Sequence, residues 1–527
     1  MSGNKNLENR IELLRGELAE LIGSEAVIDD AEQLALLSSD VYSSGIIAAL
    51  AVRPARREDA PAAIRAVSNA GFAIVPRGGG MSYTSGYTPE RPDSVIVDTG
   101  GLDKIVDISA DDMTISVEAG ATWKQVHDAL RPLGLRLPFF GTFSGSRATV
   151  GGGMSNGALF FGTGRYGTGA EIVLGLEVVA ADGRVIRTGQ AAFENGKSFY
   201  RTYGPDLTGL FVHDAGALGV KTLVSMRLIR PPAFEQYASF VFADLDEAAS
   251  ALSEIARSGA AEEAYILDAG ATKSAIDAST LRQDVKRLLS VVKAQGLREG
   301  LKLVGAGRNF VDKDLHSLHV VCAGNADAAV SEDLAAIRRI VDESGGGEVA
   351  NSMPKASRSN LFEPLNDILG GAGERWAALN SKVAHSDALE IIARTDEVFA
   401  RHADAMKRHG VWYTRLCIAI SNHAFSFEPV LRWHDEWLPL HRHVPEPAYL
   451  AKFKEPSANP EARALVDQIR AEIVELFADF GAASNQIGKT YRYFESLNPE
   501  TASLLLDLKR SLDPQGLMNP GALGLAG

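Results

Sequence analysis

Between Gly141 and Gly169 the chain reads GTFSGSRATVGGGMSNGALFFGTGRYGTG, ten glycines in 29 residues. A flexible linker can be as rich in glycine, but it seldom carries Phe139, Phe140, Phe143, Phe160, Phe161 and Tyr166 beside those glycines. Aromatic side chains ask for burial, and glycines allow backbone to approach a ligand closely. The expectation is a long ordered segment wrapped around an extended polar molecule. A second segment, Pro76-Arg77-Gly78-Gly79-Gly80-Met81-Ser82-Tyr83, follows a predicted strand at Phe72–Pro76. Three successive glycines let neighbouring backbone N–H groups face one point, a nest suited to an anion. Neither segment has the G-x-G-x-x-G spacing at the head of a βαβ unit, where a dinucleotide fold puts it, or the lysine of a P-loop.

A chain of 527 residues exceeds one hydrophobic core. Its formal charge of −14, without a basic block, disfavours nucleic acid as a partner. Cys322 and Cys417 are the only cysteines, too few for a disulfide framework or a cysteine-rich metal site. The start, MSGNKNLENR, has no apolar signal-like core, and apolar runs such as Ile46–Val52 are too short to span a bilayer. A cytoplasmic protein with no transmembrane segment is expected.

Residues 7–22 have helical spacing of apolar side chains, and strand–helix units alternate from Val52 onward. Asp182–Gly183 marks a hairpin turn. After Pro231–Pro232 the glycines thin out. ASFVFADL and HSLHVVCAG are each followed by an amphipathic helix, as in an α+β domain with antiparallel sheet and helices on one face. The expected divisions are an N-terminal helical segment 1–46, a glycine-rich domain 47–232, a second domain 233–470, and a returning segment 471–527.

The pieces PRGGGMSY, VEAGATW, SRATVGGGMSNGA, GTGRYG, LGLEVVAADGRVIRTG and YGPDLTGLFVHDAGALGVKT resemble, in order, the FAD-binding domain of the vanillyl-alcohol oxidase and p-cresol methylhydroxylase superfamily. LDPQGLMNPGALG resembles its closing motif. The resemblance implies an α+β fold: a two-part FAD-binding domain of the p-cresol methylhydroxylase type, plus an α+β cap with antiparallel sheet. It implies an FAD-dependent oxidoreductase that passes hydride from a small organic substrate to the flavin. Pro76, Arg77, Gly78, Gly79, Gly80, Met81 and Ser82 would form the pyrophosphate loop. Gly145, Ser146, Thr149, Gly152 and Asn156 would line a second loop, with Arg165, Tyr166 and Gly167 following. Gly219 and Val220 would lie near the adenine, and Asn519 in the closing motif. Some relatives attach flavin through a histidine of the first loop, where this chain has Met81.

Two substrate classes remain open. Phenol-oxidising members place a Tyr-Arg pair before the closing motif, and Tyr491-Arg492 stands there, with Tyr83 as a third contact. These groups would stabilise a phenolate, which pushes electrons to its para carbon and helps that carbon release hydride. Metal-dependent hydroxy-acid dehydrogenases of the superfamily carry a Glu-His-Gly motif, replaced here by Ser484-Asn485-Gln486. A metal-free D-2-hydroxy-acid dehydrogenase therefore stays as the alternative, and a flavin-binding protein without turnover as a third reading. Acidic residues that phenol enzymes place after the second loop are absent at Thr168-Gly169-Ala170. His423, in an apparent strand, is a candidate for proton transfer or for covalent attachment of the flavin. His441 and His443 could face one side of a strand, but no third ligand accompanies them, so no metal is expected. The acceptor would be oxygen, a cytochrome or a quinone, and the resemblance allows a homodimer.

Overall fold

The computed structural model describes residues 2–271, 315–349, 353–367 and 369–525. Three sheets organise it. The first contains β1 (Val27–Ile28), β2 (Leu50–Val52), β3 (Ala73–Arg77) and β4 (Ser94–Asp98) in the order β1-β2-β4-β3. Strands β2 and β3 both run parallel to β4. These strands are short and apolar because helix Ala60–Asn69 covers one face through Ala63, Ile64 and Val67, while Leu14 and Leu18 of helix Ser2–Ile22 join the same core.

The second sheet is antiparallel: β5 (Ile105–Ser109), β6 (Thr114–Glu118), β7 (Val173–Val179), β8 (Val185–Arg187) and β9 (Val220–Arg227), ordered β5-β6-β9-β7-β8. Gly183 makes the expected β7–β8 turn at φ 79°. Trp123, Phe139 and Met154 pack between this sheet and the glycine-rich segment.

The third sheet has eight strands: β10 (Phe234–Phe242), β11 (Glu263–Leu267), β12 (His316–Gly324), β13 (Gly347–Val349), β14 (Glu374–Ala378), β15 (Ser381–Val383), β16 (Trp412–Ile420) and β17 (Ala424–His434). Its order is β13-β10-β12-β11-β16-β17-β14, with β15 also on β17, and all pairings are antiparallel. Helices Leu245–Ser258, Asp327–Glu343, Ala388–His409 and Pro460–Asp479 cover one face. The first of them shows why the sequence folds so. Asp244 caps it by accepting from the Asp246 and Glu247 amides, Gly259 ends it at φ 68°, and Leu245, Ala248, Leu252 and Ile255 recur on its buried side. Helix Pro460–Asp479 runs through the boundary expected at 470, because its apolar stripe belongs to the cap core as far as Phe477.

Buried charges join the cap to the rest. Arg136 donates to Glu262 at 2.9 and 3.0 Å, while Arg358 pairs within the cap with Glu235, Glu262 and Glu263 and reaches across to lie 4.6 Å from the Phe140 ring centre. Arg165 donates to the carbonyls of Ala260 and Ala323. Together these contacts fix the uncovered face of the cap sheet against the glycine-rich domain.

Candidate active site

The cleft between cap sheet and glycine-rich domain begins at the loop after β3. Backbone N–H groups of Gly78, Gly79, Gly80, Met81 and Ser82 find no acceptor among the described residues. Unspent donors on consecutive residues are costly unless a ligand takes them up. The loop is also built for closeness. A Cβ on Gly79 would lie 2.0 Å from the Arg147 carbonyl oxygen, and one on Gly78 would lie 2.3 Å from Thr149 Oγ1. Buried Arg77 Nε, Asn156 Oδ1, Asn485 Oδ1 and Asn519 Oδ1 are likewise without partners. This donor-rich, side-chain-poor cradle fits the diphosphate and polar ring edges of FAD.

The other expected contacts have defined places. The Thr149 hydroxyl accepts from Gly152 N–H and caps helix Val150–Asn156. Gly145 packs on Phe362, and Ser146 lies partly open beside it. Asn519, at φ 44°, donates to the Gly86 and Ala215 carbonyls at 2.7 Å and so ties the tail to the loop. Pro76 lies under Gly216, and Gly219 and Val220 enter β9. Ser82 Oγ donates to Gln486 Oε1 at 2.7 Å, and the Met81 side chain packs near Tyr83. Gly167 turns at φ 77° beside Glu171. The Arg165 guanidinium points at cap carbonyls, whereas Tyr166 lies below Arg136 and Arg227.

Opposite stands the cap sheet. Along β14, β15 and β17 one set of alternate residues (Ala377, Leu379, Phe425, Phe427, Leu431) enters the helix-covered core. The other set, Trp376, Asn380, Lys382, Ser426 and Glu428, faces the cleft. Asn380 Nδ2 donates to Ser426 Oγ at 3.0 Å and to Glu428 Oε2 at 3.1 Å. Its backbone N–H donates to the Tyr491 hydroxyl oxygen at 2.6 Å, which leaves the Tyr491 proton free for a ligand. Tyr83 lies against Trp376 with ring centres 4.8 Å apart, and its hydroxyl has no partner among the described residues.

Electrostatics single out this cluster. Burial pushes the Glu428 carboxyl up to about 7, with the Asn380 amide only partly opposing it. Burial raises both tyrosines above their usual range, and Tyr83 feels Glu428, Tyr491 and Arg470 as well. Arg470 is buried. It donates to the Tyr83 carbonyl at 3.2 Å, lies 3.7 Å above the Tyr42 ring, and has no partner for Nε among the described residues. A titratable carboxyl, two phenols and a buried guanidinium in one cleft can bind an anionic oxygen and move its proton.

Three expectations are corrected. Arg492 turns away from Tyr491: its side chain is 44% exposed and pairs with Glu475 and with Glu495. Neighbouring residues in a tight turn point apart, and two carboxylates hold the guanidinium outside. The cation beside Tyr83 and Tyr491 is Arg470. His423 sits in an exposed turn between β16 and β17, because the chain reverses at Ser421 (φ 49°) rather than continuing as strand. His441 and His443 lie in a short helix, not a strand. His441 Nδ1 accepts from the Leu438 N–H, and His443 faces Glu32. No cluster of metal-binding side chains occurs among the described residues.

Comparison with known proteins agrees with this geometry. Residues 48–189 match the FAD binding domain family, and residues 231–523 match the C-terminal domain of FAD linked oxidases. The chain belongs to the FAD-linked oxidases. Among curated relatives, the mitochondrial D-lactate dehydrogenase [cytochrome] of Kluyveromyces lactis is 27% identical over 208 residues, 39% of this chain and 34% of that one. D-lactate dehydrogenase of Archaeoglobus fulgidus is 30% identical over 207 residues, 39% of this chain and 44% of that one. The match thus spans less than half the length of these relatives. Solved structures with the same fold include p-cresol methylhydroxylase (19% identity, TM-score 0.73, 98% of this chain and 97% of that one). Another is 4-ethylphenol oxidase from Gulosibacter chungangensis (17%, 0.72, 98% of each). No helix among the described residues is long and apolar enough to cross a membrane.

Proposed function

We propose that this oxidoreductase oxidises para-substituted phenols at the carbon para to the hydroxyl, with 4-hydroxybenzylic alcohols or alkylphenols as substrates. The observation that carries the reading is the convergence of the Tyr83 and Tyr491 hydroxyls beside Glu428 and Arg470. Two hydroxyl protons free to donate, backed by a buried cation, suit a phenolate oxygen. FAD, when bound, accepts the hydride.

The chain's own groups supply the rest. Glu428, half ionised near neutral pH, takes the phenol proton, and Tyr83, Tyr491 and Arg470 stabilise the resulting anion. The electron pair of that anion enters the ring and displaces hydride from the para substituent. With a 4-hydroxybenzyl alcohol, the alcohol proton is then lost and Glu428 returns a proton to the ring oxygen. The net loss is one hydride and one proton, and the product is the aldehyde. Trp376 packs against Tyr83 and keeps water from that end of the cleft.

The second reading is a D-2-hydroxy-acid dehydrogenase, favoured by the D-lactate dehydrogenases among the curated relatives. Anaerobic mixing of the holoenzyme with 4-hydroxybenzyl alcohol, 4-ethylphenol and D-lactate separates the two. The phenol reading expects loss of visible flavin absorbance with the phenols. Bleaching by D-lactate alone overturns it.

A further inference from the structure

Lys382 is the group in the cleft that the phenol chemistry leaves unused. It stands on β15 directly across from Ser426 and on the same cleft-facing side as Asn380 and Glu428. Glu428 is the next residue of β17 on that side, a diagonal neighbour about 7–8 Å away between Cα atoms. That spacing is roughly one para-substituted benzene ring. With the phenolic oxygen beside Glu428, the far substituent of such a ring comes to the level of Lys382.

The ammonium has no hydrogen-bond or ion-pair partner among the described residues. Glu171 is the acid it feels most, but that carboxylate is already spent on the Thr168 N–H and hydroxyl at 2.6 and 2.7 Å. His213, a neighbour of both, is held neutral: burial and the nearby Lys382 charge bring it down to about 4. Burial likewise lowers Lys382 itself, to about 8, so it still carries a proton at neutral pH. A cation withdrawn from bulk water without a counter-ion is costly, and the cost is relieved when an anion enters.

We propose that Lys382 binds an anionic group at the reacting end of the substrate, so that the preferred substrates are para-hydroxyphenyl compounds bearing a carboxylate on or next to the oxidised carbon. This rests on the phenol reading above and narrows it. The simplest such compound is 4-hydroxymandelate. Hydride leaves its benzylic carbon, a proton leaves its alcohol oxygen, and the product is the corresponding α-keto acid.

The test is anaerobic stopped-flow reduction of the FAD-loaded enzyme by two matched probes, 4-hydroxybenzyl alcohol and each enantiomer of 4-hydroxymandelate. Wild type, Lys382→Met and Lys382→Arg are compared, with flavin content and melting temperature as folding checks. The expected result is a wild-type Kd at least tenfold lower for one mandelate enantiomer than for the alcohol. Lys382→Met removes that advantage and leaves the alcohol within twofold, and Lys382→Arg keeps part of it. Equal losses for acid and alcohol in Lys382→Met, with a shifted flavin reduction potential, would make Lys382 a partner of the flavin and overturn the proposal. So would a mandelate affinity that Lys382→Met leaves unchanged; in both cases the phenol reading stands. If neither probe reduces the flavin of any variant while D-lactate does, the phenol reading itself has failed and the proposal falls with it.

Discussion

Replacing Glu428 by Gln separates catalysis from stability, because the two effects have opposite signs. The Glu428 carboxyl is raised from its ordinary 4.5 to about 7 by burial. As the base that takes the phenol proton it must be ionised. Below pH 7 its ionised fraction falls tenfold per unit, to about one hundredth of the plateau at pH 5. The rate of anaerobic flavin reduction divided by Kd should follow that limb. In Glu428→Gln the limb disappears and the plateau drops by about 10²–10⁴. Stability moves the other way. Below about pH 4.5 the carboxyl is neutral in the folded and unfolded states and costs nothing. Between 4.5 and 7 the unfolded chain releases the proton while the folded one retains it, so stability falls by about 1.4 kcal/mol per unit, about 3 kcal/mol in all above pH 7. The glutamine variant should therefore melt higher than wild type at pH 8 and nearly level with it at pH 4.5. Stopped-flow reduction and thermal melts across this range measure both. A variant that keeps the wild-type acid limb would refute the assignment of Glu428 as the base.

Other perturbations test the surroundings. Gly79→Ala puts a methyl where the Arg147 carbonyl stands 2.0 Å away, so purified protein should carry much less FAD, read from the ratio of visible to ultraviolet absorbance. Arg492→Met, at an exposed pair of carboxylates, should leave reduction kinetics within twofold and stability within about 1 kcal/mol. A large rise in substrate Kd would instead return Arg492 to the site. Arg358→Met strands Glu263 in the interior, leaves Glu262 with Arg136 alone, and should cost about 3–5 kcal/mol in chemical denaturation.

Much of this molecule was legible in its sequence, and what stayed hidden has a physical reason. The glycine-rich segments announced a backbone cradle because glycine is chosen for local conformation, and local conformation is what sequence encodes most directly. Strands β10 and β12 with their helices were equally plain, since apolar period and capping residues agree there. The Tyr491-Arg492 pair misled because adjacency in a chain does not decide direction. The turn sends one side chain to the cleft and the other to Glu475. Arg470 could have been found: it interrupts an apolar stripe formed by Val466, Ile469, Ile473 and Phe477. Glu428 was signalled too, by its phase among Phe425, Phe427 and Leu431, which marks it as facing away from the helix-covered core. Lys382 gave no such sign. Its role depends on a pairing between β15 and β17 that brings residues more than 40 positions apart to one face.

The clasp made by Arg136, Arg165 and Arg358 governs how the molecule handles traffic. A roof tied to its foundation by guanidinium groups at several points must break those bonds before it can swing on a hinge.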